Sequence, residues 1–197
     1  MLEIFGDQVS RLNDEDLRTL VVRLCEAELR HRNLPTSGLT AGGNQTAPDG
    51  GIDVRVEVSV AGVSLDFIPR GSAGFQVKCA DMPPSKIAEE MRPGGELRLS
   101  IREPAITQGA YVIVSSQGSV ADSALIDRRN AMRAAIGTLP DGESIHLDFY
   151  DRERLATWVR AYPGVALWLR ERIGDHVAHW FVLLDLVNLH SDHLRRG

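Results

Sequence analysis

The run Ala110–Ser115, with the sequence AYVIVS, constrains the fold of this chain more than any other segment. A continuous apolar run of this length is typical of a strand that is covered on both faces of a sheet. A helix is predicted before it over about 83–91, and a helix, a strand and a helix follow over 121–136, 145–150 and 152–162. Strands that alternate with helices predict an α/β fold, with a central mixed β-sheet flanked by α-helices.

The first helix is predicted from its N-terminal cap and from one apolar stripe. Asn13 precedes three acidic residues, which suit the positive end of a helix dipole. The stripe then recurs at helical spacing, and the helix is expected to run to about Arg32; the stripe comprises Leu17, Leu20, Val21, Leu24 and Cys25. After this helix we expect a short strand at 38–41 and a flexible glycine-rich loop over 42–51.

Two runs that alternate between apolar and polar residues predict neighbouring strands. In 52–59 the apolar residues stand at even positions, so Asp53 belongs to the polar face. In 74–79 the order is reversed, and Gln76 and Lys78 project together from one face of the strand. The two runs therefore place an aspartate, a glutamine and a lysine on polar faces of adjacent strands.

Lys78 is unusual in this chain, because only two of its 22 lysine and arginine residues are lysines. Hydrolysis of a phosphodiester with a bound metal needs a carboxylate for the ion, further oxygen donors, and a cation near the attacking water. Lysine suits the last role, since its ammonium is a compact charge whose pKa can shift. Asp53 would be the principal metal ligand, with the Gln76 side-chain carbonyl and the Val77 backbone carbonyl nearby. The pattern predicts a metal-dependent phosphodiesterase site.

A second carboxylate for this site is expected from the first helix, where two glutamates compete. Glu28 falls on the apolar stripe and therefore faces the sheet, whereas Glu26 lies off the stripe. We prefer Glu28 as the ligand; the alternative is that it is an exposed partner of Arg32 four residues later. Glu57 is a further candidate ligand, because it shares the polar face of Asp53.

The order of these motifs resembles that of the PD-(D/E)xK nuclease superfamily. A helix glutamate, Gly50-Gly51-Ile52-Asp53, then Gln76-Val77-Lys78 and a following helix are similar to its Mrr-like restriction-endonuclease branch, in which glutamine replaces the central acid. The likeness covers about 14–116. It implies a restriction-endonuclease-like fold, double-stranded DNA as substrate, and Mg²⁺ or Mn²⁺ as cofactor. It also implies that Asp53, Gln76 and the helix glutamate form the metal site and that Lys78 is catalytic; Asp49, in the literal Pro-Asp pair, is an alternate ligand.

The segment 44–51, together with 158–160 and 163–165, is also similar to the N-terminal effector nuclease of bacterial antiphage STAND NTPases of the Avs type. In that family a nucleotide-binding motor and a repeat sensor follow the nuclease, and this chain contains no GxxxxGK[ST] motif. The resemblance implies an effector domain over 1–162 and a helical extension or linker over 163–197. We expect activation when copies self-associate through the apolar C-terminal run or an attached motor.

The formal net charge of −5 counts against a nucleic-acid-binding domain, because such domains are usually basic. A metal site is itself acidic, however, and clustered arginines such as Arg128 and Arg129 are candidates for DNA contact. The charge and the glutamine at position 76 favour a rival interpretation. In it, the chain is a non-catalytic module that binds nucleic acid or another protein on a decayed nuclease fold.

Cys25 and Cys79 lie in apolar periodic segments without CxxC spacing, which indicates buried thiols in a reducing compartment. The N-terminus has no basic region followed by an apolar one, and no stretch of 18 apolar residues occurs. Neither secretion nor a membrane span is therefore expected, and the expected location is the cytoplasm.

Overall fold

The computed structural model of the chain describes residues 3–42, 51–59, 65–137, 139 and 142–175. Within these ranges a five-stranded mixed sheet lies between two layers of helices, which confirms the predicted α/β fold and is consistent, at this level, with a restriction-endonuclease-like fold. The strands are β1 (Leu39–Ala41), β2 (Val54–Glu57), β3 (Ser72–Lys78), β4 (Ala110–Ser115) and β5 (His146–Tyr150). The helices are α1 (Gly6–Val9), α2 (Asp14–His31), α3 (Pro84–Met91), α4 (Leu99–Ile106), α5 (Asp122–Ile136), α6 (Arg152–Arg160) and α7 (Pro163–Arg172), with a 3₁₀ turn at Pro93–Gly95.

The strands stand in the sheet in chain order. β1, β2 and β3 pair antiparallel, whereas β3, β4 and β5 pair parallel. A parallel pair needs a crossover connection, and the helices α3 and α4 supply the first crossover while α5 supplies the second. The parallel half of the sheet is therefore the half whose strands are joined by helices.

Two hydrophobic cores cover the two faces of the sheet. The first core packs α2, α6 and α7 against one face, where it includes Phe75 and Val112. The second core packs α3 and α5 against the other face, where it includes Tyr111 and Ile113. Every residue of β4 is buried, as predicted for a strand that is covered on both sides.

The first alternating run departs from its predicted pattern at one residue. Val54 and Val56 lie in the first core, but Ile52 lies in the second, and the chain bends at Asp53 between them. The prediction that Ile52 shares one face with the two valines is wrong. Ile52 packs over Gly74 on β3, where an added Cβ would lie 2.6 Å from the Ile52 Cδ1 atom. The glycine on β3 leaves the room that lets the chain cross to the other face.

The long helices begin and end close to the predicted residues. The Asn13 side chain accepts a hydrogen bond from the backbone N–H of Asp16 at 2.8 Å, which is the predicted cap of α2. Helices α1 and α4 were not predicted, since α1 has only four residues and α4 contains Pro104, which lacks a donor for the helix. Both cysteines are free thiols, with Cys25 buried and Cys79 half-buried.

Two segments that were predicted from the sequence are not among the described residues. The loop 43–50, which contains Asp49, and the apolar run 177–189 lie outside the described residues. Helix α7, assigned from the sequence to the C-terminal extension, contributes Val165 and Leu169 to the first core. Among the described residues, none of the helices has both the length and the apolar composition needed to cross a bilayer.

Candidate functional site at the carboxyl end of β3

The carboxyl end of β3 carries the two predicted polar residues on the sheet face of the second core. Gln76 is 1% exposed and hydrogen-bonds to a side chain of α3. The Lys78 side chain is 34% exposed, at the last residue of the strand. Phe75 and Val77 face the first core, as the alternation of a strand requires. The prediction that Gln76 and Lys78 share one face of the strand is confirmed.

Asp53 lies where the ladder between β2 and β3 ends. Its backbone N–H donates to the carbonyl of Phe75 at 2.9 Å, and its carboxylate Oδ2 accepts from the backbone N–H of Val77 at 2.7 Å. A side-chain oxygen thus replaces the next backbone carbonyl of the ladder. This bond holds the carboxylate beside the residue that separates Gln76 from Lys78, so the structure brings the three predicted residues together.

Glu90 on α3 is a fourth member of this group, and sequence reasoning missed it. Its Oε2 lies 3.2 Å from Lys78 Nζ. Its Oε1 accepts hydrogen bonds from Gln76 Nε2 and from Arg98 Nη2, the latter at 2.8 Å. The Glu90 side chain is 21% exposed, so it is partly accessible to solvent. One carboxylate therefore contacts the lysine, the glutamine and an arginine.

The sequence carried a weak signal for Glu90. Ile87 and Met91 have the i, i+4 spacing of one helix face, and both are fully buried. Glu90 follows Ile87 by three positions and so borders that face, whereas Glu89 is exposed. The helical pattern does not say which sheet residues this face meets, so the contact with Lys78 emerges only in the structure.

The Gln76 amide has a defined orientation between two partners. Its Nε2 donates to the Glu90 carboxylate, and its Oε1 accepts from the Tyr111 hydroxyl. The reverse orientation would place the amide oxygen against a carboxylate that can only accept. Burial raises the pKa of Tyr111, and the charges of Glu90 and Asp53 raise it further, so its hydroxyl stays a donor. The amide oxygen predicted to bind metal therefore points to a tyrosine.

Arg98 joins this group to the backbone that leads into Asp53. Its Nε donates to the backbone carbonyl of Glu90 at 2.6 Å. Gly51 has a φ of +84°, and an added Cβ at this position would lie 3.2 Å from the guanidinium carbon of Arg98. Glycine at position 51 thus meets two demands, a left-handed backbone conformation and a close approach to the guanidinium.

Two clefts open beside this group. One, of about 470 Å³, extends from Asp53 along the first turns of α2; it is lined by Glu15, Arg18, Thr19, Val22, Ala41, Gly42 and Asp53. The other, of about 360 Å³, lies over α3; it is lined by Met82, Lys86, Glu89, Glu90, Pro93 and Arg98. The Asp14 carboxylate accepts from the backbone N–H of Cys79 at 3.2 Å, so the start of α2 lies next to the end of β3. Glu15 is the α2 carboxylate that shares a cleft with Asp53.

Glu28, the predicted helix ligand, lies elsewhere. It is buried as predicted, but its Oε1 accepts from the backbone N–H groups of Asp66 at 2.6 Å and of Phe67 at 3.0 Å. Burial raises the pKa of its carboxyl. Glu28 lies 13 residues beyond Glu15, which is about 20 Å along a helix. The prediction that Glu28 supplies the helix carboxylate of this site is therefore wrong. The apolar stripe showed that Glu28 faces the sheet, but it did not show which part of the sheet Glu28 meets.

The alternatives for the helix carboxylate also lie away from this group. Arg32 pairs with Asp66 at 2.8 Å, so the idea that Glu28 is an exposed partner of Arg32 is wrong. Glu26 pairs with Arg30 at 2.6 Å on the exposed side of α2.

Glu57, the other alternate ligand, lies at the opposite end of its strand. It accepts a hydrogen bond from the Ser72 hydroxyl at 3.0 Å. Ser72 is the first residue of β3 and Lys78 the last, which corresponds to about 20 Å along a strand. The sequence put Glu57 on the polar side of the strand, but the length of β3 separates it from Lys78.

The two arginines predicted to contact DNA differ from each other. Arg128 is 3% exposed; it donates to Asp81 at 2.9 Å and to the Met82 carbonyl at 3.1 Å, and its guanidinium lies over the Phe149 ring. A guanidinium buried in this way is not available to a phosphate, so the prediction for Arg128 is corrected. Arg129 is half-exposed and pairs with Asp148 at 2.7 Å.

The donor chemistry of the site suits a hard divalent cation in part. In the ranges that the structure describes, no three His, Cys, Asp or Glu side chains converge in a ready metal cluster. Asp53 and Glu90 both carry the carboxylate oxygens that Mg²⁺ and Mn²⁺ prefer, and the charge of each raises the pKa of the Tyr111 hydroxyl. These two carboxylates fit such an ion. Two of the predicted metal ligands do not fit it: the Gln76 side-chain oxygen accepts from Tyr111, and Glu28 lies at the other end of α2.

The chain matches no family model, no curated protein and no solved structure. Its likeness to PD-(D/E)xK nucleases stays a resemblance of motifs.

Proposed function

We propose that this chain is a metal-dependent DNA endonuclease of the PD-(D/E)xK type, which hydrolyses phosphodiester bonds of double-stranded DNA with Mg²⁺ or Mn²⁺. The observation that carries the proposal is the convergence at the end of β3. The Asp53 carboxylate is fixed by a 2.7 Å bond to the Val77 N–H, and the residues on either side of Val77 are Gln76 and Lys78. Such a fixed carboxylate beside a half-exposed lysine supports metal-assisted phosphate chemistry.

Lys78 has the exposure and the charge to act on the reacting phosphate. In the proposed reaction the oxygen of a water forms a bond to phosphorus, the bond from phosphorus to the leaving oxygen breaks, the water loses its proton to solvent and the leaving oxygen takes one from solvent. The Lys78 ammonium would donate hydrogen bonds to the attacking water and to a non-bridging oxygen. Its charge would stabilise the negative charge that grows on the pentavalent phosphorus. A metal ion, when bound at Asp53, would polarise the phosphate and acidify the water.

Arg18, the cation among the residues that line the first cleft, offers a contact for the DNA backbone. Arg18 lines the same cleft as Asp53, and its Nε is held by the backbone carbonyl of Asp14 at 3.0 Å. A phosphate near Asp53 and Lys78 would therefore meet Arg18 on α2. The negative net charge of the chain argues for weak binding by one copy. The proposal accordingly includes activation by clustering, as in an antiphage effector in the cytoplasm that a C-terminal NTPase or sensor region assembles.

Plasmid cleavage tests the proposal. Supercoiled plasmid is incubated with Mn²⁺ and either the free protein or the protein fused to a tetrameric coiled coil; we expect cleavage, and faster cleavage by the fusion. Lys78→Ala and Asp53→Ala should each lower the rate by about 10²- to 10³-fold. Arg30→Ala is a matched control, because it also removes an exposed cation that pairs with a glutamate. If the clustered parent, Lys78→Ala and Asp53→Ala are equally inert, the nuclease proposal fails.

A second candidate is a non-catalytic module on a decayed nuclease fold. The observation that favours it is that the polar groups of the site already satisfy one another: Asp53 holds the Val77 N–H, and Glu90 pairs with Lys78. Such a module would bind DNA or a protein without cutting. Binding of labelled duplex DNA that Lys78→Ala leaves unchanged, together with inert clustered protein, would favour this candidate.

A further inference from the structure

Glu90 has the contacts of a site residue rather than of an ordinary surface ion pair. An exposed pair contributes little to stability and needs no buried support. Glu90 instead lies at the end of a chain of hydrogen bonds, from the buried Tyr111 hydroxyl to the buried Gln76 amide and from this amide to the carboxylate. On its other side Arg98 contacts the same carboxylate oxygen. The Glu90 carboxylate is thus oriented by groups that are themselves fixed.

Gln76 is suited to hold this carboxylate and poorly suited to replace it. An amide carries no charge, and its oxygen here accepts from Tyr111. Its N–H group donates to the Glu90 carboxylate. Hydrogen-bond donors of this kind orient metal-bound carboxylates in proteins. At position 76, two residues before Lys78, the strand therefore presents a hydrogen-bond donor. The acid that faces this donor is Glu90 on α3.

We propose that Glu90 supplies the second carboxylate of the metal site, together with Asp53, and that Gln76 is a positioning residue for it. This inference rests on the proposed nuclease function and names a residue of the same site. The Glu90 carboxylate is shared between Lys78, at 3.2 Å, and Arg98, at 2.8 Å. A divalent cation held by Glu90 would weaken its pair with Lys78 by competition, and the Lys78 ammonium would then be available to water and phosphate.

Metal binding and an exchange of residues test the inference. Mn²⁺ affinity is measured by electron paramagnetic resonance on the parent, on Glu90→Gln and on the double variant Gln76→Glu/Glu90→Gln. We expect Glu90→Gln to weaken Mn²⁺ binding by about 10- to 100-fold. The double variant should recover most of the affinity, because the amide and the carboxylate exchange places and one still donates to the other. Plasmid cleavage should follow the same order.

Glu26→Gln is the matched control, since it also removes a helix carboxylate that pairs with an arginine, away from β3. It should bind Mn²⁺ as the parent does. Thermal melts show whether each variant is folded. If Glu90→Gln does not fold, the double variant decides: recovered Mn²⁺ binding supports the inference, and no binding overturns it.

The outcomes separate this inference from the proposed function. If a folded Glu90→Gln binds Mn²⁺ and cuts plasmid as the parent does, while Asp53→Ala and Lys78→Ala do not cut, then Glu90 is only an ion-pair partner and the nuclease proposal stands. If the clustered parent neither binds Mn²⁺ nor cuts, both proposals fail.

Discussion

Two glutamates lie on helices over opposite faces of the sheet, and their surroundings differ. Glu28 on α2 is fully buried and is held by the backbone N–H groups of Asp66 and Phe67. Glu90 on α3 is 21% exposed, borders a cleft and contacts Lys78 and Arg98. The first carboxylate satisfies two backbone donors that would otherwise lack this acceptor. The second neutralises two partly exposed cations beside a cleft, where a ligand can reach them.

The largest expected effect is that of Glu28→Ala on stability. The change leaves the backbone N–H groups of Asp66 and Phe67 without their acceptor and opens a cavity, so the free energy of unfolding should fall by about 4 kcal/mol. Urea unfolding followed by circular dichroism measures it. Glu28→Gln keeps an acceptor oxygen and should lose clearly less; equal losses for the two variants would contradict the hydrogen-bonding role.

The pH dependence of stability gives a second contrast. Burial raises the folded-state pKa of Glu28 above its unfolded value, so the folded state favours the protonated carboxyl. The stability that this carboxyl contributes is fully present below the unfolded pKa, and it is lost as the pH rises through the raised pKa. Relative to Glu28→Gln, the parent should therefore lose stability as the pH rises above the ordinary pKa of a glutamate, about 4.3. Urea unfolding of both proteins at rising pH checks the sign, and a parallel pair of curves would refute it.

Gly51→Ala should have an intermediate effect near the other glutamate. An alanine must adopt a φ of +84° and approach the Arg98 guanidinium, which together should lower the free energy of unfolding by about 1 to 2 kcal/mol. We also expect slower plasmid cleavage, because the strained residue lies two positions before Asp53. Gly164→Ala is the control, since an added Cβ there meets nothing within 4 Å.

The smallest expected change in stability is that of Lys78→Ala. The Lys78 and Glu90 side chains are both partly exposed, so the loss of their ion pair should change the free energy of unfolding by less than about 1 kcal/mol. A fall of several kcal/mol in the free energy of unfolding would mean that the Lys78–Glu90 pair stabilises the fold as strongly as Glu28 does. That result would contradict the contrast drawn between the two glutamates.

The sequence predicted more of the fold than of the site. The period of two in 74–79 was enough to put Gln76 and Lys78 on one side of β3, because side chains of a strand alternate strictly. The cap at Asn13 and the apolar stripe defined α2 in the same way. Helix α4 escaped prediction because Pro104 stands within it.

Site residues on helices were harder to predict than those on strands. Glu28 and Glu90 both border an apolar helix face, so the pattern alone could not tell which of them meets Lys78. That depends on how α2 and α3 pack on opposite faces of the sheet. The prediction that Arg128 contacts DNA was wrong for a related reason. Arg128 is buried against Phe149 and Asp81, which belong to segments distant in sequence.

The sequence by itself determined the α/β class, the strand that is buried on both faces, and the shared face of Gln76 and Lys78. These follow from local periodicity and from steric limits on neighbouring residues. Only the tertiary structure decided that Glu90, and not Glu28, reaches the end of β3, and that the Gln76 amide points its oxygen to Tyr111. Such contacts join residues far apart in the chain, and they are set by the packing of whole helices on the sheet, which no local pattern encodes.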